Sequence, residues 1–244
     1  MPTANEPAGR GSTRTAVVWS GLEPVLAQGG PRDVLDIGGG TGGLAVRVGG
    51  LGPRVTVVDP SPDALAALDR RANEYDVAVA GRQGDLSSLL EVVGPDSADV
   101  VLCHGVLEVV DDPAGALATL ARVVRPGGVL SLLVAQRHAA VVARAMAGHF
   151  QQALEMLDPQ TGSAPIGRTG RRYTSDELTV LAGDAGFAVD TVHAIRVFTD
   201  LVPGSLLDVE SGASAALVEL EQAVADRPEY LPLATQLHLL AHRP

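Results

Sequence analysis

Along most of the chain, short apolar runs alternate with stretches whose apolar residues recur every three or four positions. Asp33-Val34-Leu35-Asp36-Ile37 reads as a strand running into a glycine turn, and a helix over about Gly42–Gly49 should follow. Arg54–Val58 reads as the second strand. Ser61-Pro62-Asp63 is a helix start: the hydroxyl can cap free amides, proline suits the first helical position, and an acid favours the positive helix end. Leu65, Leu68 and Ala72 form that helix's buried face, and Val77–Ala80 and Ala98–Cys103 read as the third and fourth strands. Asp112-Pro113 opens another helix, with Leu117, Leu120 and Val124 on one face; Pro126-Gly127-Gly128 ends it, and the apolar Val129–Ala135 is the fifth strand. Strands alternating with helices predict right-handed crossovers and a parallel sheet covered on both faces.

The rhythm changes at both ends. Residues 1–9 read as a frayed terminus. In residues 10–28, Val18, Leu22 and Val25 have helical spacing, but Pro24 predicts two short helices rather than one. Residues 136–173 read as a cap or lid near the carboxyl ends of the strands: a helix over about His138–Leu157, then Pro159–Arg172, rich in Gly, Ser, Pro and Arg. Thr174-Ser175-Asp176-Glu177 restarts a helix that ends near Gly186, and Phe187–Phe198 reads as a long strand. Leu206, Val209, Ala213, Leu217, Leu220 and Val224 make a helical stripe before a last strand, Ala234–Ala241. The expected fold is α/β: a Rossmann-like, doubly wound sheet of seven strands, mostly parallel with a C-terminal antiparallel hairpin, plus a helical cap insertion, with residues 1–244 forming one domain.

Composition narrows the function. Cys103 is the one cysteine, which excludes a disulfide scaffold. No apolar run approaches the ~18 residues of a membrane span. The polar N-terminus lacks the apolar core of a signal peptide, so a cytoplasmic location is the expectation. A net charge of −11 argues against broad, nonspecific nucleic-acid binding, which depends on neutralising phosphates, but allows a local basic site. All 18 basic residues are arginine, a pattern that coding bias or selection for planar guanidinium contacts would each produce.

Asp36-Ile37-Gly38-Gly39-Gly40-Thr41-Gly42-Gly43 is the densest chemical signal. Glycines let a strand turn sharply into a helix and let a ligand approach the backbone. Gly38, Gly40 and Gly43 satisfy the dinucleotide pattern G-x-G-x-x-G, whereas Asp36, Gly38, Gly40 and Gly42 satisfy the methyltransferase pattern D-x-G-x-G-x-G. Asp59, at the tip of the second strand, can accept from ribose hydroxyls in either case. Gly84-Asp85 after the third strand places an acid where an adenine amino group would lie, although Asp85 also suits a helix cap. Val123-Val124-Arg125-Pro126-Gly127-Gly128 resembles the L-[KR]-P-G-G signature of class I methyltransferases. Together these elements favour S-adenosylmethionine over a nicotinamide cofactor. Cys103 reads as packing. His104, at the end of the fourth strand, reads as a cofactor contact, a hydrogen-bonded wall residue or a base, and is the one catalytic candidate.

His104-Gly105-Val106-Leu107-Glu108-Val109-Val110 makes the likeness narrower. With Arg14–Trp19, Leu35–Gly42, Arg125–Leu132, Arg196–Asp200 and Leu237–Ala241, it resembles the bacterial tRNA 5-carboxymethoxyuridine methyltransferases nearly end to end. The resemblance implies methylation of a carboxylate on a modified wobble uridine of tRNA. It implies that Arg14 binds the cofactor's methionine carboxylate, Gly38 and Gly39 its amino-acid moiety, Asp59 the ribose, Gln83, Gly84 and Asp85 the adenine region, and His104 the methionyl end. The family's long basic stretch is replaced here by Ser163–Arg172, which holds Arg168, Arg171 and Arg172. With Tyr173 these arginines could grip phosphate and stack a base, or form a solvated loop. A small-molecule methyltransferase and a non-catalytic cofactor-binding module are the competing readings, and none of them calls for a metal or a membrane.

Overall fold

The computed structural model describes residues 10–27, 32–157, 170–207 and 212–244, with side chains described from Arg14 onward. The expected frayed terminus, Val209, Arg168 and most of the Pro159–Arg172 loop lie outside these residues. In chain order the elements are α1 (Arg10–Ala27), β1 (Asp33–Ile37), α2 (Gly43–Gly49), β2 (Arg54–Asp59), α3 (Pro62–Glu74), β3 (Val79–Gln83), α4 (Leu89–Val93), β4 (Ala98–His104) and α5 (Pro113–Val123). There follow β5 (Val124–Ala135), α6 (Arg137–Met146), α7 (Phe150–Leu157), α8 (Ser175–Asp184), β6 (Ala188–Ile195), α9 (Gly204–Leu207), α10 (Ala213–Val224), a 3-10 turn (Pro228–Leu233) and β7 (Gln236–His242).

The seven strands form one sheet in the order β3-β2-β1-β4-β5-β7-β6. The first five are parallel; β7 inserts between β5 and β6 and is antiparallel to both. This is the expected Rossmann-like, mostly parallel sheet with an antiparallel end. The central strands are apolar throughout because both faces are covered. Leu35, Ile37, Val101 and Cys103 pack into a core with α5 and α8, while the alternating Val34, Val100 and Leu102 pack with α1, α2 and α3.

Local chemistry explains the boundaries. Ser61 accepts the Ala64 amide at the start of α3, and Thr174 with Glu177 closes a reciprocal capping box at the start of α8. Pro24 does not divide the N-terminal segment, correcting the expected two helices: α1 runs through it. Near the helix end the ring forfeits only one bond, to the Ser20 carbonyl, while Val17, Val18, Leu22 and Leu26 hold the helix on the sheet. The single helix expected over His138–Leu157 is two, broken where Gly148 adopts φ 77°.

Strand edges moved for related reasons. β5 starts at Val124, not Val129, and absorbs Pro126-Gly127-Gly128 at a register shift opposite Ala98 and Val100. Arg125 ties that corner to Asp33 and Asp99, both at 2.9 Å. β3 lies two residues beyond its expected start, and β6 stops at Ile195 because Arg196 turns left-handed at φ 60°. After that turn, Glu221 of α10, fully buried, accepts the amides of Val197, Phe198 and Thr199 and the Thr199 hydroxyl.

Candidate active site

The glycine turn after β1 is packed so closely that side chains would not fit. Gly38 has φ 67°, and a Cβ there would lie 2.5 Å from Val106 Cγ2. Gly42, at φ 77°, would press a Cβ into Leu68. The Gly40 amide donates to Asp59 Oδ2 at 3.0 Å, and the Ser61 amide donates to Asp59 Oδ1 at 2.9 Å. Asp36 lies beneath this loop, against Gly39, and is 3% exposed. Its Oδ2 is unpartnered among the described residues, and burial, reinforced by the Asp59 charge, pushes its pKa up to about 7. Asp36 therefore supports the loop from below.

A cavity of about 690 Å3 opens beside the loop, with Gly38, Asp59, Gly84, Asp85, Leu86 and Val106 in its wall. Of the residues expected to hold the cofactor, Gly38, Asp59, Gly84 and Asp85 line this cavity. Asp85 closes the turn before α4, whose N-cap is Ser88: its Oδ1 accepts the Ser87 and Ser88 amides at 2.9 and 3.1 Å, and the Ser87 hydroxyl and these amides hold its carboxyl below the usual range. Gln83 stands apart, exposed on edge strand β3, with its amide 3.4 Å from the Pro60 carbonyl.

A second, polar group of side chains gathers near the carboxyl ends of β4 and β5. His104 Nε2 lies 2.8 Å from the Ser131 hydroxyl. Burial, helped by the Arg14 charge, lowers its pKa to about 3, so the imidazole is neutral and weakly basic. Half-buried Arg14 and Arg172 are both held below the ordinary guanidinium range by burial, with Arg196 and Arg144 adding to the effect respectively, and each is attracted to Glu108. Glu108 is a site residue that the motif reading did not single out. Its Oε1 accepts the Ala135 amide at 2.9 Å, its Oε2 is buried and unpartnered among the described residues, and burial raises its pKa. The available signal was a lone charge in the apolar run Val106–Val110.

Tyr173 corrects an expectation. It is 3% exposed, and its hydroxyl donates to the Leu107 carbonyl at 2.9 Å, so the ring is a core strut with no face free to stack a base. Arg171 is exposed, its amide donating to the Glu108 carbonyl at 2.7 Å, and Arg168 lies outside the described residues. Cys103 is buried, its thiol pushed up to about 12, which leaves no reactive thiolate. Among the described residues there is no cluster fit to hold a metal and no helix long and apolar enough to cross a membrane.

A strand-to-helix glycine cradle, an acid at the second strand tip and an apolar-walled cavity are the parts of a nucleoside-cofactor site. The family described as "Methyltransferase domain" matches residues 14–192. The chain belongs to this family and is a class I S-adenosylmethionine-dependent methyltransferase. It is 30% identical over 245 aligned residues to the tRNA 5-carboxymethoxyuridine methyltransferase of Escherichia coli (strain K12), covering 96% of this chain and 90% of that one. A ubiquinone biosynthesis O-methyltransferase of Alkalilimnicola ehrlichii is 41% identical over 97 residues, 40% of this chain and 39% of that one. Among solved structures, an S-adenosylmethionine-dependent methyltransferase from Mesorhizobium loti superposes with a TM-score of 0.62 at 19% identity, covering 96% of this chain and 100% of that one.

Proposed function

We propose that the protein transfers the methyl group of S-adenosylmethionine to a carboxylate on a modified wobble uridine of tRNA, forming a methyl ester. The observation that carries this reading is the end-to-end similarity to the tRNA 5-carboxymethoxyuridine methyltransferase, 96% of this chain. The polar site agrees with it, since the desolvated guanidinium groups of Arg14 and Arg172 favour anionic groups, and guanidinium pairs with carboxylate through two parallel hydrogen bonds. A tRNA acceptor implies work in the cytoplasm.

When bound, the cofactor supplies a methyl group already activated on sulfur. The residues of this chain then have to align rather than activate. The Gly38–Gly40 backbone admits the cofactor closely, Asp59 has lone pairs left to accept the ribose hydroxyls, and Leu86 and Val106 offer apolar walls for a flat base. Arg14, by the family resemblance, holds the methionyl carboxylate. Such positioning is worth ~7–11 kcal/mol of barrier. A carboxylate acceptor is already ionised at neutral pH and needs no base, which suits a His104 lowered to about 3.

A second reading, methylation of a small molecule, draws on Glu108, a buried carboxylate with an unpartnered oxygen and a raised pKa that could take a proton from a hydroxyl or amine. The net charge of −11 also favours it over RNA. The experiment is transfer of labelled methyl to tRNA bearing 5-carboxymethoxyuridine. Base-labile label in the tRNA supports the first reading; no transfer by cofactor-loaded protein overturns it. The small-molecule reading requires that Arg171→Ala protein keep its turnover on a small acceptor.

A further inference from the structure

A line of hydrogen-bonding side chains crosses four strands beneath α1. His104 Nε2 on β4 is 2.8 Å from Ser131 Oγ on β5, which is 2.8 Å from His238 Nε2 on β7. His238 Nδ1 is 3.2 Å from His193 Nδ1 on β6, and His193 Nε2 is 3.1 Å from the Asp226 carboxylate just beyond α10. Ser131 and His238 are fully buried, whereas the Asp226 side chain is 78% exposed. Gly21 of α1 lies over the line: a Cβ there would come within 3.0 Å of the His193 ring.

Donor–acceptor counting limits how protons can sit along this line. A neutral imidazole has one N–H and one bare nitrogen, a hydroxyl donates one proton, and a carboxylate only accepts. Ser131 accepting from both rings would send its own proton off the line and again leave His193 bare toward Asp226; with the Ser131 proton kept on the line, two arrangements satisfy every internal link. In one, all protons point toward Asp226: His104 Nε2–H donates to Ser131, Ser131 to His238 Nε2, His238 Nδ1–H to His193 Nδ1, and His193 Nε2–H to Asp226. In the other, all are reversed, and His193 faces the carboxylate with a bare nitrogen, acceptor against acceptor. Only the first gives Asp226 a donor.

We propose that Asp226 sets the direction of this relay and thereby holds His104 as its Nε2–H tautomer, with Nδ1 bare at the methyl-transfer site. Asp226, His193, His238 and Ser131 are positioning residues acting through His104. A bare Nδ1 accepts a hydrogen bond, as from the ammonium of the cofactor's aminoacyl arm, and cannot donate one to an acceptor carboxylate, where a donated proton would occupy the attacking lone pair. Burial lowers the pKa of all three histidines, which supports neutral rings throughout; Asp226 opposes this at His193, and Arg14 reinforces it at His104. The assignment rests on the cofactor placement above and not on the acceptor's identity.

The test is 15N–1H correlation of the imidazole rings at pH 7.5, with His104 assigned by His104→Gln. The expected spectrum has His104 protonated on Nε2 alone. Asp226→Ala, at an exposed position that leaves the core intact, should produce a mixture of both tautomers, and Asp226→Glu should restore one. Ser131→Ala should raise the cofactor KM about five- to tenfold with less effect on kcat. A wild-type His104 protonated on Nδ1 or on both nitrogens, or an Asp226→Ala spectrum identical to wild type, overturns the relay. A failure of tRNA methylation would leave this spectrum unchanged, so the two readings fail separately.

Discussion

Gly40 donates its amide to the Asp59 carboxylate at 3.0 Å, so the glycine loop is tied to the tip of the second strand. Both Asp59 oxygens already hold backbone amides, of Gly40 and Ser61, and each keeps a lone pair for a ribose hydroxyl. On the proposed cofactor placement, Asp59→Ala removes a ligand contact together with the tether of the loop. We expect affinity for S-adenosylhomocysteine to fall by about ten- to a hundredfold, the loss typical of charged hydrogen bonds at ~1.5–3 kcal/mol. Calorimetric titration checks this; unchanged affinity would detach Asp59 from the cofactor.

Glu221 does for the β6 exit what Asp59 does for the loop. Its carboxylate receives three amides and a hydroxyl with no water access. Glu221→Ala leaves those donors unpaired and should cost about 3–5 kcal/mol of unfolding free energy, the range for breaking a buried charged network. Urea denaturation measures it, and a loss near zero would show that the segment relaxes onto other partners.

Acid should destabilise the protein from an unusually high pH. His104, His193 and His238 are held below 6.5 in the folded state, so the unfolded chain binds more protons below that pH. Their stabilising contribution is complete above about pH 6.5 and is lost as pH falls toward 3. Asp36, folded pKa about 7, and Glu108, raised by burial, act in the opposite sense and offset part of this contribution. Unfolding free energy should therefore fall as pH drops from 6 to 4.5. Stability equal at pH 7 and 5 would contradict it.

Asp36→Asn isolates that opposing contribution. The carboxyl is raised above its unfolded value, so its stabilising effect is fully present below 3.8 and is lost as pH rises through 7. The amide variant should gain on the parent in melting temperature as pH rises from 4 to 7 and keep that advantage at pH 8. A variant less stable at pH 8 would mean that the ionised carboxylate has a partner within the loop.

Tyr173→Phe discriminates a core strut from an RNA contact. The Leu107 carbonyl loses its donor, which should cost about 1–3 kcal/mol of stability, while activity on saturating acceptor stays within twofold. A large rise in acceptor KM with unchanged stability would return the ring to the substrate side.

The order of strands and helices was written in local patterns, because two-sided burial demands apolar strands and each helix start needs its own cap. Ser61, Thr174 and the glycine run announced themselves within a few residues of chain, as did Gly38, Asp59, Gly84 and Asp85 of the cavity wall. Local signals misjudged Pro24 and Pro126-Gly127-Gly128, where packing on the sheet outweighed the breaker and the Arg125 ion pairs tied the bulge to its neighbour strands. Tyr173 looked like a loop aromatic, because nothing near it in sequence reveals the Leu107 carbonyl. The line from His104 to Asp226 was equally illegible, since its members come from four separated strands and the end of α10. Backbone preferences act over a few residues and can be read from one segment. Partners of buried polar groups are chosen by which strands lie side by side, and only the folded sheet decides that.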